Sequence, residues 1–219
     1  MYVREVGGQK LTLQVSGKLW MRSLVMSDVE TGTEWAHLLG RAMAGKLSGK
    51  RLKPIITDMV TWSVWKEQHP ETTVLNMSPT SRNYTREFYR NPSNFVFGFD
   101  ADGRAWTLSM DRLIKHPLNE FQIANLPLLA TFDNDGAVTH LYDRRLDGDV
   151  LNFEQHNEQI MTDTQTGSRW EMLNGQCISG KHKGAMLKQR VGIMSLRRAW
   201  QNFHPESTEI DFSTVEQQR

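Results

Sequence analysis

Cysteine is nearly absent from this chain of 219 residues, which contains a single one, Cys177. One cysteine excludes an intrachain disulfide and any zinc site built only of cysteines. No hydrophobic run approaches the ~18 residues of a transmembrane helix, and the first residues lack the apolar stretch of a signal peptide. An excess of charge is lacking too, because 26 Lys and Arg face 25 Asp and Glu. This balance gives no global electrostatic argument for a nucleic-acid or membrane partner.

The material for a hydrophobic core is present. Hydrophobic residues make up 38% of the chain and charged residues 23%, and there are seven tryptophans and nine phenylalanines. Such a composition is typical of a folded protein and argues against global disorder. A chain of this length forms one domain or two small ones.

The clearest pattern in the sequence is an internal duplication. Residues 31–75 align without a gap with residues 166–210, and about a third of the aligned positions are identical, against roughly 6% expected by chance. The shared residues include the pairs Trp35 and Trp170, Trp65 and Trp200, Gly40 and Gly175, and the sequences His69-Pro70-Glu71 and His204-Pro205-Glu206. Allowing a five-residue gap, the match extends back to Arg4 and Arg144. We therefore expect two copies of one structural unit.

Each copy predicts short strands followed by one helix. Glycine turns separate alternating segments, and a helix then follows, capped by Thr57 or Asp58 in the first copy and beginning near Ser195 in the second. Trp62 and Trp65, with Met59, would share one face of the first helix. A His-Pro sequence ends both helices, because proline disfavours the helical conformation of the residue before it.

The second copy is preceded by additional predicted strands. Residues 95–100 and 104–109 alternate around an Ala-Asp-Gly turn, residues 110–115 predict one helical turn, and residues 126–132 and 137–142 predict another hairpin. The predicted fold is therefore α+β and mostly antiparallel β, with two homologous repeats, one conspicuous helix in each, in a pseudo-twofold arrangement. The predicted boundaries are residues 1–78 for the first repeat, 79–94 for a connecting loop and 95–219 for the second repeat.

Several sequences resemble a known family. The segments Val15–Trp20, Leu24–Asp28, Thr31–Trp35 and Gly40–Gly45 resemble the bacterial and archaeal family called domain of unknown function 3179, and Trp62-x-x-Trp65 with His69-Pro70 continues the pattern. The family has no established activity, and the resemblance implies an exported, periplasmic or otherwise extracytoplasmic protein. Its members typically have an upstream unit with His-Glu and Cys-Pro-x-Cys. We therefore expect a chain cut at its N-terminus, with Lys10–Val15 less paired than Asp149–Phe153, or else a degenerate member.

Two functional hypotheses stay open at this point. The first is a protein that binds a small ligand or metal at a cleft between the repeats. The alternative is an enzyme, redox or metal-dependent, whose cysteine-bearing first unit is absent from this chain. No cofactor, catalytic residue, metal ligand or oligomeric state can be assigned. Nucleic-acid binding is disfavoured by the balanced charge, although Arg82, Arg86 and Arg90 alternate with aromatic residues.

His116 is the candidate ligand-binding residue that the resemblance favours. It precedes Pro117 on a predicted turn, and Asp111, Asn119 and Glu120 lie near it in sequence. Such polar neighbours can orient an imidazole ring. We expect His116 to be partly exposed, to line a concavity and to have a polar partner on one ring nitrogen.

The remaining ligand-binding candidates are two Asp and Thr pairs at equivalent positions of the copies, Asp28 with Thr31 and Asp163 with Thr166. Each pair precedes a glycine, so the residues could equally form the local turn that this glycine requires. Trp35 and Trp170 are expected to be buried anchors of the two copies.

Overall fold

A computed structural model describes residues 1–74 and 91–212, and this part of the chain consists mainly of β-structure. Its helices are α1 (Trp62–Gln68), α2 (Met110–Lys115) and α3 (Arg197–Phe203), with a 3-10 turn at Pro92–Asn94. Its strands are β1 (Glu5–Val6), β2 (Gln9–Lys10), β3 (Leu13–Trp20), β4 (Ser23–Asp28), β5 (Glu34–Ala36), β6 (Arg41–Ala44), β7 (Phe95–Ala101), β8 (Arg104–Ser109), β9 (Leu118–Ile123), β10 (Leu126–Asp133), β11 (Val138–Asp143), β12 (Arg145–Leu146), β13 (Asp149–Val150), β14 (Phe153–Gln155), β15 (Ile160–Asp163), β16 (Arg169–Glu171), β17 (Cys177–Ser179), β18 (Lys188–Arg190), β19 (Gly192–Leu196) and β20 (Thr208–Glu209). The sheets are mostly antiparallel, as predicted, although β20 joins β8 in parallel.

The chain divides into two compact units, each built from two stretches of sequence. The first unit comprises Met1–Thr57 and Leu196–Glu206, and the second comprises Asp58–Ser195 and Ser207–Arg219. Helix α1 therefore follows the first repeat in sequence but belongs to the second unit, whereas α3 follows the second repeat and belongs to the first unit. The connecting loop predicted at residues 79–94 lies outside the described residues except for its last four.

The first unit contains the β1-β2 hairpin and a meander in the order β3-β4-β5-β6. Leu11, Trp35, Ala42 and Leu52 form its buried core. The pairing of β3 with β4 is complete from Leu13 to Val15, and a register shift follows before Leu19. The corresponding strand β14 is also fully paired, with β15, from Phe153 to Gln155. The prediction that Lys10–Val15 has fewer partners than Asp149–Phe153 is therefore wrong.

The second unit contains the β12-β13 hairpin, a meander in the order β14-β15-β16-β17, and two further four-stranded sheets. These two sheets have the orders β18-β11-β10-β9 and β19-β7-β8-β20, and they include both hairpins predicted from residues 95–142. One hydrophobic cluster, around Phe99, Phe121 and Phe132, fills the space under these sheets. A second cluster surrounds Trp170.

The first of the two repeat helices begins later than the sequence predicts, whereas the second begins close to its predicted start. Helix α1 starts at Trp62 after Thr61, whose side chain makes no capping bond, so neither Thr57 nor Asp58 is the cap. Trp62 is 52% exposed and Met59 66%, so the predicted apolar face is wrong for both residues. Helix α3 starts at Arg197, near Ser195 as predicted, and its Trp200 is buried. Both helices end before a histidine as expected, and each histidine ring stacks on the tryptophan one turn earlier.

A tyrosine occupies the same local position in the two units. The hydroxyl of Tyr2 donates to the carbonyl oxygens of His37 and Leu38, and that of Tyr142 donates to those of Met172 and Leu173. Both rings lie against a glycine with positive φ, Gly40 and Gly175, where a Cβ atom would come within 2.5 and 2.8 Å of a ring carbon. A side chain at either glycine would therefore displace the tyrosine.

Candidate functional site

The Asp and Thr pairs form two internally bonded turns with nearly identical contacts. Asp28 accepts hydrogen bonds from the backbone and hydroxyl of Thr31 and, at 2.9 Å, from the indole nitrogen of Trp35. Asp163 accepts the corresponding bonds from Thr166 and, also at 2.9 Å, from Trp170.

These turns leave the two carboxylates no surface for a ligand. Asp28 is 1% exposed and Asp163 is fully buried. Burial alone would raise the pKa of each carboxyl, but the tryptophan and threonine hydrogen bonds outweigh it and lower the pKa. The alternatives for these residues are ligand binding and a structural turn, and the contacts favour the turn. The adjacent Gly32 and Gly167 complete it with φ of +69° and +70°.

His116 lies at the C-terminal end of α2 and lines a cavity of about 330 Å³ in the second unit. Its side chain is exposed, and Arg112, Lys115, Asn119 and Glu120 line the same cavity. The backbone carbonyl of His116 accepts a hydrogen bond from the side chain of Asn119. Among the described residues no group bonds to its ring, so the predicted partner on a ring nitrogen is not found.

A larger cavity of about 660 Å³ lies elsewhere in the second unit. Its walls come from α1 and the residues just before it, from the turn after β10, and from β15, β16 and the segments that follow β16. The ionisable residues of its lining are Asp58, Glu67, His69, Asp133, Asp135, Glu158 and Glu171. Apolar surface is contributed by Val60, Val64, Trp65, Ile160, Met172, Leu173 and Met186. The cavity thus combines six carboxyl side chains with an apolar wall, and none of its lining residues in the described ranges 1–74 and 91–212 is a lysine or arginine.

Asp58 connects this cavity to a buried histidine. Its Oδ1 atom lies 2.9 Å from Nε2 of His140, which is 2% exposed, and 3.4 Å from the side-chain nitrogen of Gln189. The hydrogen bond with His140 lowers the pKa of Asp58, against the opposing effect of burial. Both bonds end on Oδ1, and within residues 1–74 and 91–212 no hydrogen bond to Oδ2 is present. His140 and Gln189 therefore hold Asp58 through Oδ1, and its Oδ2, which no described residue bonds, can contact a ligand.

Sequence analysis missed Asp58 and His140. They lie 82 positions apart, and the one conspicuous signal at Asp58 was misread as a helix cap. His140 and Tyr142 lie two positions apart on β11, so their side chains share one face of the strand and the rings stack. The bond between His140 and Asp58 joins distant parts of the chain, and spacing along the sequence does not reveal it.

In the described parts of the chain, no three His, Cys, Asp or Glu side chains are placed so that they could hold a metal ion. Cys177 is buried, which raises the pKa of its thiol. None of the helices in residues 1–74 and 91–212 is long and apolar enough to span a membrane.

The sheets and the duplicated turns described above define a mostly antiparallel β protein with a repeated unit. The model of the family described as "Protein of unknown function (DUF3179)" matches residues 1–94 and again residues 89–207. The chain belongs to this family, as its resemblance at residues 15–70 indicated. Comparison with curated proteins and with solved structures found no match.

Proposed function

We propose that this protein binds a small organic cation in the 660 Å³ cavity of its second unit. The observation that carries the proposal is the chemistry of the lining, in which the ionisable groups among the described residues are six carboxyl side chains and one histidine. A pocket of this volume that combines apolar walls with a few polar groups is the usual form of a small-molecule site. Because no lysine or arginine of the described residues lines the cavity with these carboxylates, a cationic ligand would relieve their mutual repulsion.

Asp58 is the residue that we propose as the direct contact. The His140 hydrogen bond fixes the carboxylate and lowers its pKa, so that the group is charged at neutral pH. A charge held rigidly before the ligand arrives costs less side-chain entropy on binding. The lack of a three-ligand cluster in the described residues favours an organic cation over a metal ion.

We further propose that the two units share an origin by duplication. The support is the recurrence of the Asp–Thr–Trp turn and of the Tyr–Gly contact at the positions that the sequence alignment pairs. The pseudo-twofold arrangement and a site between the repeats stay predictions from sequence, as does export, which cell fractionation would test.

Isothermal titration with spermidine tests the proposed site. We expect saturable binding to the wild-type protein and none with citrate, an anion of similar size. Asp58→Asn and Glu67→Gln should each weaken spermidine binding by about tenfold, the equivalent of roughly 1.4 kcal/mol for one lost charge contact. Glu67 makes no hydrogen bond or ion pair with any described residue, so its variant separates binding from folding.

Asp149→Asn is the matched control, because Asp149 is an exposed carboxyl of the same unit outside the cavity. It should leave spermidine binding unchanged. Equal weakening by Asp149→Asn would show a general electrostatic attraction and would contradict a specific site.

The alternative hypothesis of an enzyme finds one supportive feature, the Asp58–His140 pair, since such pairs occur in acid–base catalysis. Here Asp58 rather than His140 reaches the cavity, and His140 lies behind it. Because the carboxylate and not the imidazole faces the cavity, the pair fits ligand binding better than acid–base catalysis by His140.

A further inference from the structure

The 660 Å³ cavity, lined by six carboxyl side chains, is termed the acidic cavity. The smaller cavity, around His116, has a different chemistry. It encloses about 330 Å³, near the lower end of the range for ligand pockets, and so suits a small molecule. All its lining residues belong to the second unit. Its floor is built from buried side chains, among them Asn119, Phe153 and Phe212, which are 4%, 2% and 5% exposed.

Positive charge lies on one side of this cavity. Arg112 and Lys115 belong to the last turn of α2, and His116 follows directly. The guanidinium carbon of Arg112 lies 5.1 Å from the centre of the Phe212 ring, and its Nε lies 3.4 Å from Oδ1 of Asn119. Lys115 is exposed and makes no ion pair with any described residue, so its ammonium group can meet a ligand carboxylate.

Negative charge lies on the strands that face this helix end. Glu120 belongs to β9 and Glu154 to β14, two strands in contact with each other. Oε1 of Glu120 accepts a hydrogen bond of 2.5 Å from the backbone of Phe153 and lies 3.3 Å from Nη1 of the buried Arg144. Its side chain is 8% exposed, so this carboxylate is a fixed part of the wall. Glu154 is exposed and pairs with no described cation.

The remaining lining is largely apolar. Pro117, Leu118, Phe153 and Phe212 provide this surface. A ligand that fits this distribution carries a carboxylate for the helix end, an ammonium group for the strands and an apolar substituent for the remaining wall. We infer that this cavity is a binding site for a free amino acid with an apolar side chain.

Calorimetric titration of the full chain with L-leucine tests this inference. We expect saturable binding, with 4-methylpentanoate, which has the same carbon skeleton but no ammonium group, at least tenfold weaker. Lys115→Met and Glu154→Gln should each weaken leucine binding severalfold, because each removes one of the two complementary charges. His116→Ala should weaken binding as well while leaving the thermal midpoint nearly unchanged, because the side chain is exposed.

Two controls come from the same unit. Lys183 is exposed and outside the cavity, so Lys183→Met should leave leucine binding unchanged. Glu158 lines the acidic cavity, so Glu158→Gln should weaken spermidine and not leucine. Equal affinity for leucine and 4-methylpentanoate, no leucine binding at all, or leucine binding insensitive to both Lys115→Met and Glu154→Gln would each overturn the inference. None of these results would bear on spermidine binding.

Discussion

The Asp28 turn of the first unit and the Asp163 turn of the second have the same hydrogen bonds, yet the two units differ in what surrounds them. Trp35 packs in a core of four buried residues, whereas Trp170 packs in a core of nine. The second unit also has the sheets formed by β7–β11 and β18–β20, and both cavities lie there. The repeated turns thus supply scaffold, while each cavity combines strands of the repeated meander, β14–β16, with the additional elements around α2, β9 and β10.

The largest expected effect comes from removing the two indole anchors. Trp35→Ala and Trp170→Ala should each lower the free energy of unfolding by about 3–5 kcal/mol, because both side chains are fully buried. Trp170→Ala should cost more, since its cluster is larger. Urea denaturation followed by circular dichroism measures the loss, and Trp62→Ala, at an exposed tryptophan, should change it little. A Trp35→Ala variant with an unchanged free energy of unfolding would contradict the equivalence of the two turns.

Acid should weaken both turns, and the direction follows from the lowered pKa values. A carboxyl whose pKa is lower in the folded protein stabilises it above the unfolded pKa and loses this contribution as the pH falls through the folded value. The pKa values of Asp28 and Asp163 are both lowered in the folded protein, so both carboxylates should lose this contribution in acid. Asp163→Asn should cost about 1–3 kcal/mol at pH 7.

The readout for this prediction is the thermal midpoint between pH 6 and pH 2. The wild-type protein should lose more stability over this range than Asp163→Asn does, and Asp28→Asn should reduce the loss similarly. Asp149→Asn serves as the exposed control. Parallel curves for wild type and Asp163→Asn would show that this carboxylate does not contribute to the acid response.

The glycines of the two turns allow a more exact comparison. Gly32 and Gly167 have φ of +69° and +70°, and an added Cβ would meet no atom within 4 Å at either position. Gly32→Ala and Gly167→Ala should therefore each cost about 1–2 kcal/mol through the left-handed backbone alone. Chemical denaturation should give the same value for both, and a difference beyond the experimental error would reveal unequal turns.

The smallest expected effect separates the two tyrosines. Tyr142 is fully buried, and burial together with the charge of Asp58 raises its pKa well above the usual range. Tyr2 is half-buried, and burial raises its pKa to about 12. Tyr142→Phe should cost about 1 kcal/mol or more, because buried carbonyls lose their donor, whereas water can replace the hydroxyl of Tyr2. Thermal denaturation of both variants measures the difference, and equal losses would contradict it.

The sequence by itself determined the repeat, the hairpins around residues 102 and 135, and the positions of the indole anchors. These features depend on local alternation, on turn residues and on identities between matched segments, all of which are written along the chain. The class of the fold, mostly antiparallel β with few helices, follows from the same signals.

Only the tertiary structure decided which unit each helix joins and where the cavities lie. The bond between Asp58 and His140 spans 82 positions, and Glu120 reaches Arg144 only because β9, β10 and β11 pair into one sheet. The Asp28 and Asp163 carboxylates, which sequence allowed as ligand contacts, are occupied because the strands bring Trp35 and Trp170 within 2.9 Å of them. The pairing of strands, over seven residues in the turns and over much longer separations at Asp58 and Glu120, determines which polar groups are left for a ligand.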